Sequence, residues 1–331
     1  MARAGLNRKS ALATLTLVLA AEAPDIDMLA NLRSPLAGFA HHRGFTHTFL
    51  GVPLVAALVL LVVFVGYRWW GRRHRQSDQP MPRWGILFGL ACLSGFSHIL
   101  LDFITAYGVR PFEPFSYRWF SWDIVSIVEP VLWVILAGGL ILPALLGLIA
   151  EEVSTRRQRD PRGRTGALVA LALVAALWGF RDFQHRHAIA AMQALTWHGE
   201  DPNRVSAFPY ALNPFQWYGV VETRNGYHSV IVNSWIPEVD PEDRAIQRYK
   251  PEETPELQAA KKSYAGQVFL DWARCPITET ERVEGPPGYL VHFYDVRYAY
   301  PDRKRGNSLT VWVRLDAKLR VIEQTFGKRP E

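Results

Sequence analysis

The stretch Gly51-Val52-Pro53-Leu54-Val55-Ala56-Ala57-Leu58-Val59-Leu60-Leu61-Val62-Val63-Phe64-Val65-Gly66 carries no charge, and Tyr67-Arg68-Trp69-Trp70-Gly71-Arg72-Arg73-His74-Arg75 follows it. An apolar run, then aromatic rings, then a basic block is the order in which a helix leaves hydrocarbon, crosses the interface and meets water. With its flanks, from Thr48 to Trp70, the segment reaches the roughly 20 residues that a bilayer requires. It predicts a membrane helix. Three further segments read the same way: Trp84 to Tyr107, Ile124 to Ala150 and Thr165 to Phe183. The second of these contains His98 and Asp102, and the third contains Glu129 and Pro130.

The chain has 331 residues, 49% of them hydrophobic, and nearly all the long apolar runs fall within residues 1 to 187. The two parts are different materials, which predicts a membrane helix bundle over 1–187 and a soluble domain over 188–331. The formal charge of +6 comes with arginines gathered in short blocks beside apolar runs. That pattern fits membrane orientation and argues against nucleic acid as a partner. Cys92 and Cys275 are the two cysteines, one in an apolar segment and one in the polar half, so neither a disulfide framework nor a thiolate cage is available. Any metal must use nitrogen and oxygen.

At the N-terminus, Arg3, Arg8 and Lys9 precede the apolar run Ala11 to Ala21, and Ala21-Glu22-Ala23 imitates a secretory cleavage site. Against cleavage, Pro24 would follow the cut directly, and Asp25-Ile26-Asp27 reads as part of a site. As a helix, the run would rise only about 16 Å at 1.5 Å per residue, too little to span alone.

The basic blocks set an orientation. Residues 71–83 hold Arg72, Arg73, Arg75 and Arg83, and residues 151–164 hold Arg156, Arg157, Arg159, Arg162 and Arg164, whereas 108–123 holds Arg110 and Arg118. Both rich loops are expected in the cytoplasm. The clusters at Asp25 and Asp27, at His41 to His47, at His98 with Asp102, and at Asp123 with Glu129 then all arrive at the outer face. Thr165 to Phe183 runs outward and carries everything after about His185 out of the cytoplasm.

Ionisable groups at membrane depth are costly, so several together point to function. His98 and Asp102 are four apart and share a helix face, able to bind one ion or to form a ligand with its supporting partner; a helix-packing hydrogen bond is the plainer reading. His42 and His47 are five apart, poor spacing for one helix face, and Arg43-Gly44-Phe45 between them suggests His42 on a loop and His47 in the first turn of a helix that Thr46 could cap. His41 reads as an interfacial neighbour. In Asp25-Ile26-Asp27 an extended backbone after Pro24 would turn both carboxylates to one side, a pair suited to a hard or borderline divalent ion; a helix-stop turn is the alternative. Asp123 has an ordinary role as N-cap of the third helix. Glu129, about one and a half turns into that helix, is a candidate general base or additional ligand, and Arg43 either holds an anionic substrate or balances the acids. No G-x-S-x-G elbow, Walker loop, H-E-x-x-H or C-x-x-C occurs.

Taken together, Pro24-Asp25-Ile26-Asp27, His42-Arg43-Gly44-Phe45-Thr46-His47, Ser97-His98-Ile99-Leu100-Leu101-Asp102 and the stretch from Thr105-Ala106-Tyr107-Gly108-Val109-Arg110 to Pro114-Phe115-Ser116 resemble the YdjM-type inner-membrane proteins, described as LexA-regulated, membrane-bound, metal-dependent hydrolases. The likeness covers about residues 3–130. It implies a multi-pass protein of the plasma (inner) membrane and hydrolase activity with a divalent metal, zinc first and manganese or magnesium as alternatives. It maps the candidate ligands to Asp25, Asp27, His42, His47, His98 and Asp102. Family members usually open with a further short apolar helix begun by a Thr-His pair, which leads to the expectation of a segment upstream of Met1.

After a connector over 188–204, with an interfacial helix through Met192, Leu195 and Trp197, the second half shows β-rich runs at Tyr218–Thr223, His228–Trp235, Tyr289–Tyr300, Ser308–Arg314 and Arg320–Phe326. Glu252 to Trp272 reads as helix. The expected fold is therefore mainly α: a polytopic membrane helix bundle followed by a small α+β extracytoplasmic domain. Its Asn213-Pro214-Phe215-Gln216-Trp217 loop is a candidate lid or lipid contact, with a plain surface turn as the alternative.

Functionally, the reading is a metallohydrolase whose ion polarises an ester or phosphoester and acidifies water. Glu129 and Arg43 are its candidate catalytic groups, membrane lipids are its partners, and its substrate is a lipid or lipid-linked molecule reached at the outer interface. The competing classes are a non-catalytic membrane protein with a structural or ion-conducting metal site, and a β-rich binding domain that the helices merely anchor.

Overall fold

The computed structural model describes residues 1–74, 81–153, 163–236, 238–242, 244–285, 287–300 and 309–330. Most of the two basic loops, including Arg75, Arg156, Arg157, Arg159 and Arg162, lies outside the described residues, as does Ser308. The chain divides into two compact units, one of residues 1–26 and 43–182, the other of residues 27–42 and 183–331.

The first unit is helical: α1 (Ala13–Glu22), α3 (Gly51–His74), α4 (Trp84–Phe103), α5 (Pro130–Val153) and the first part of α6 (Arg164–Gln193). Among the described residues three helices are long and apolar enough to cross a membrane: Gly51–Trp70, Trp84–Phe103 and Arg164–Gln193. In α5 the described apolar run is Pro130–Pro143. Leu54, Leu58, Leu61, Val62 and Val65 of α3, with Leu168, Val169 and Leu173 of α6, are exposed, as expected where lipid rather than water is the solvent.

Short α1 packs through Ala13, Leu17 and Ala20 onto Ala56, Val59 and Val63 of α3 and Leu87, Leu90 and Ala91 of α4. Ser94 Oγ donates to Leu17 O at 2.7 Å, so a polar group of α4 is satisfied at the contact. Small residues bring α5 and α6 together: a Cβ on Gly139 would lie 2.4 Å from Ala170 Cβ, and one on Gly166 would lie 2.9 Å from Gly139 O.

Two helix boundaries differ from expectation. The third apolar segment becomes helical only at Pro130, because Trp122 N donates to Phe103 O at 2.7 Å and Ile124 N to Ile104 O at 3.0 Å. Those bonds tie residues 122–125 back to the end of α4. Asp123, buried and with φ 60°, is therefore not the N-cap of that helix, and Glu129 directly precedes the helix instead of lying inside it. The fourth segment runs ten residues further than Phe183, to Gln193.

The second unit holds two four-stranded antiparallel sheets, β1 (Arg204–Pro209), β2 (Gln216–Glu222), β3 (Gly226–Asn233) and β4 (Ile246–Tyr249) in one, and β5 (Pro276–Val283), β6 (Gly288–Asp295), β7 (Thr310–Asp316) and β8 (Val321–Phe326) in the other, each in simple meander order. Between them, the expected helix over Glu252–Trp272 is two helices, α7 (Pro255–Lys262) and α8 (Tyr264–Trp272), broken at Ser263, whose Oγ accepts Gly266 N. The end of α6 lies on the first sheet: Ala188 and Met192 join Trp197, Trp217, Val221, Val230 and Val232 in one core. Met192 and Trp197 are thus core residues and not an interfacial helix, and a Cβ on Gly219 would meet Met192 Sδ at 2.2 Å. Helix α2 (Pro35–His41), capped by Ser34 Oγ accepting Ala37 N, belongs to this unit, where the Phe39 ring stacks on Phe326 at 4.4 Å and meets Trp272 edge-on at 5.2 Å.

Candidate metal centre

Three separate turns of the first unit deliver the polar groups. Asp25 sits in a 3-10 helix (Ala23–Leu32), not in extended backbone, because the run continues as a tightened turn directly from α1. His47 closes a 3-10 turn (Phe45–His47) just before α3. Thr48 rather than Thr46 serves the next helix, its Oγ1 accepting Gly51 N at 2.7 Å and donating to Phe45 O at 2.9 Å. Thr46 Oγ1 instead meets His47 Nδ1 at 3.1 Å, which leaves Nε2 for the cluster. His98 and Asp102 stand one turn apart at the end of α4.

These groups converge. His47 Nε2 lies 3.2 Å from His98 Nε2, 3.4 Å from Asp25 Oδ1 and 3.4 Å from Asp102 Oδ2. His98 Nε2 lies 3.6 Å from Asp25 Oδ1 and 3.4 Å from Asp102 Oδ2. Donors that each sit about 2.0–2.1 Å from one ion in tetrahedral array are roughly 3.4 Å apart, so these separations suit a shared divalent cation. Ligand atoms of Asp25, His47 and His98 all fall within 4.8 Å of one another. Asp102 Oδ2 is buried with no hydrogen-bond donor, a costly condition that a cation would relieve. The donor set of two imidazoles and carboxylates is borderline in softness, matching zinc and accommodating manganese. Hydrogen bonds from His47 and then His98 hold the Asp25 carboxyl well below the usual carboxylate range. The His47 side chain is fully buried whereas that of Asp25 is 37% exposed, so the cluster opens on the Asp25 side.

Arg43 fixes the other oxygen of Asp102. Its Nη2 lies 2.7 Å from Asp102 Oδ1, and its Nη1 donates to Thr105 Oγ1 at 3.2 Å, Gly108 O at 3.1 Å and Asp102 O at 3.4 Å. The guanidinium also stands 4.7 Å from the Tyr107 ring centroid. Arg43 is buried and takes φ 53°, an unfavourable backbone for a long side chain, held by these contacts. Gly108, at φ 86°, has no room for a side chain, since a Cβ would meet Phe120 O at 3.0 Å where Val109 and Phe120 pair. The Thr105–Arg110 stretch thus serves as the cradle of Arg43, an arrangement that balances the acids.

Among the other sequence candidates, Asp27 and His42 face each other, with His42 Nδ1 3.5 Å from Asp27 Oδ1. His41 is exposed. Glu129 is buried and faces Arg181, whose Nη2 is 3.4 Å from Glu129 Oε2 and whose Nε donates to Ile124 O at 3.0 Å. Neighbouring Asp182 accepts Trp122 Nε1 at 2.9 Å. Sequence reasoning overlooked Arg181 and Asp182; the available signal was a charged pair directly ending an apolar run.

A family profile described as "YdjM inner membrane protein" matches residues 1–188 of the 331. The chain is also similar to the uncharacterised protein YfhP of Bacillus subtilis (strain 168), at 24% identity over 113 residues, which is 34% of this chain and 31% of that protein. The match therefore spans about a third of the relative's length. No solved structure matches the chain.

Proposed function

Because the chain belongs to the YdjM inner membrane protein family, we propose that it is a membrane-bound metallohydrolase in which Asp25, His47, His98 and Asp102 hold one divalent ion, zinc before manganese or magnesium. The observation that carries this reading is the convergence of two imidazole nitrogens and two carboxylate oxygens, one of them buried without a donor. A divalent ion at that point supplies Lewis acidity toward an ester or phosphoester oxygen. The protein's own groups do the rest. Thr46 orients His47, Arg43 orients Asp102, and the exposed Asp25 side leaves an approach for substrate. Glu129 faces Arg181, so in this reading it stabilises the helix junction and does not move protons.

The excess of arginine in residues 71–83 and 151–164 over 108–123 supports a topology with the cluster and the C-terminal unit outside the cytoplasm. A substrate reaching such a site is a lipid or lipid-linked ester or phosphoester. The test is elemental analysis of the purified protein together with hydrolysis of phospholipids and lipid phosphates. One equivalent of metal with turnover supports the reading. Metal without turnover, in a shell closed by four protein donors, supports a structural or ion-handling site instead.

A further inference from the structure

The first unit carries an aromatic surface on the connection between α4 and α5. Between the paired residues Val109 and Phe120, the sequence Arg110-Pro111-Phe112-Glu113-Pro114-Phe115-Ser116-Tyr117-Arg118-Trp119 has rings at four positions and an acid at one. A loop made for water draws instead on Gly, Asn, Asp and Ser. The turn is compact: Phe115 N and Ser116 N donate to Phe112 O at 2.9 and 3.1 Å, and Glu113 is paired with Arg110 at 3.6 Å. Yet Phe115 is 87% exposed, Tyr117 56% and Phe112 47%. Large apolar groups displayed together on an ordered loop mark an interaction surface.

Contacts within this unit say what covers them. Helix α4, at 20 residues and 1.5 Å per residue, matches the hydrocarbon thickness of a bilayer, and Phe96, seven residues before its end, lies about 10 Å inside the span. Phe96 is exposed and so faces acyl chains. Its ring meets that of exposed Phe49 at 6.1 Å, and Phe49 in turn meets Phe112 edge-on at 5.3 Å. Phe49 N also donates to Pro111 O at 2.9 Å, which fixes the loop to the entry of α3. The exposed surface of the span therefore runs from Phe96 through Phe49 to Phe112 without a break, and lipid that covers the first reaches the last.

The backbone sets the depth. Irregular chain is not tolerated in hydrocarbon, where its N–H and C=O groups find no water, so residues 110–119 belong at the rim. Exposed Arg118 suits that level: its guanidinium stands 5.3 Å from the Phe120 ring centroid, so the stem can lie on apolar surface while the charge reaches headgroup phosphates.

We propose that Phe112, Phe115 and Tyr117 seat the α4–α5 connection in the lipid surface, with the headgroup–acyl boundary as their occupant. Because Val109 and Phe120 close this loop beside Gly108, the backbone that accepts Arg43 Nη1 is anchored at the level of the headgroups. The inference does not depend on whether a metal is bound or on which leaflet is concerned.

Spin labels test it on the full-length protein in vesicles of phosphatidylethanolamine and phosphatidylglycerol. Cys92→Ala provides the background, since Cys275 is buried with its thiol pushed up to about 12 and stays unlabelled. Two references calibrate depth: Leu61→Cys, exposed at the middle of the α3 span, and Lys318→Cys, in the charged β7–β8 turn. Labels on Phe112→Cys and Phe115→Cys should fall between them, with fewer collisions with a water-soluble nickel chelate than at 318 and more with dissolved oxygen. Phe112→Ser should move the label at position 115 toward the aqueous reference. Nickel accessibility at 112 and 115 equal to that at 318 overturns the proposal. So does shielding from both reagents, which would mean that protein covers the loop.

Discussion

Arg43 and Asp102, 59 positions apart in the chain, meet at 2.7 Å with the arginine bound to Oδ1 while Oδ2 faces His47 and His98. One carboxylate is thereby divided between a fixed cation and the imidazole pair. Its orientation is set before any metal arrives, which is the usual role of a group standing behind a ligand.

Removing that support should weaken metal binding without removing a ligand. Arg43→Met is expected to cost about 10- to 100-fold in zinc affinity, measured by competition with a fluorescent chelator. Arg43→Lys should recover only part, because a point charge cannot reproduce the fork. Affinity equal to wild type in Arg43→Met would show that Asp102 does not need the arginine.

Ligand substitutions should rank by burial. His47→Ala and His98→Ala are expected to abolish stoichiometric metal in the purified protein, whereas Asp25→Asn, at the exposed side, should retain metal at reduced affinity. Full metal content in His47→Ala would reject the centre.

Glu129 and Arg181 form a buried pair, so breaking it from one side should hurt more than replacing it. Arg181→Met leaves a buried carboxylate and is expected to cost about 3–5 kcal/mol. Adding Glu129→Leu to Arg181→Met should restore most of that loss. Thermal unfolding in detergent decides the matter; a double variant less stable than Arg181→Met would contradict it.

The second unit should lose stability in mild acid. Burial pushes the pKa of His228 and His292 down, so the folded state resists protons that the unfolded chain takes up below about 6.5. For a base with a lowered folded pKa the unfolded state binds more protons, and stability falls as pH drops through that window. The denaturant midpoint of the full chain should therefore decline from about pH 7.5 to about pH 5.5. The double variant His228→Gln with His292→Gln should show a flatter profile; an unchanged slope would assign the acid sensitivity to other groups.

The membrane helices were legible because their signal is local. The apolar run, aromatic rings and arginines around Gly51–Arg75 need no partner to be read. Strands with clear alternation were legible as well: in β7, Val311, Val313 and Leu315 are buried. Strands β1, β4 and β5 were not anticipated; in β5, Glu279, Thr280, Glu281 and Arg282 form an exposed polar run on an edge strand, with no period-2 pattern to detect. The strand expected over Tyr289–Tyr300 stops at Asp295, whose carboxylate accepts Arg297 N at 2.9 Å and forms a buried ion pair with its guanidinium. That turn is invisible in a run of aromatic and β-branched residues.

The sequence by itself determined that two unlike materials are joined and which residue types carry metal chemistry, because hydropathy and donor softness are properties of single side chains and short windows. Only the tertiary structure decided which of those donors face a common point. It placed Asp25, His47, His98 and Asp102 together, set His42 against Asp27, and set Glu129 against an arginine 52 positions later. Such choices rest on how tight turns and helix ends are packed against one another, and contacts between distant segments leave no trace in the spacing of residues along a chain.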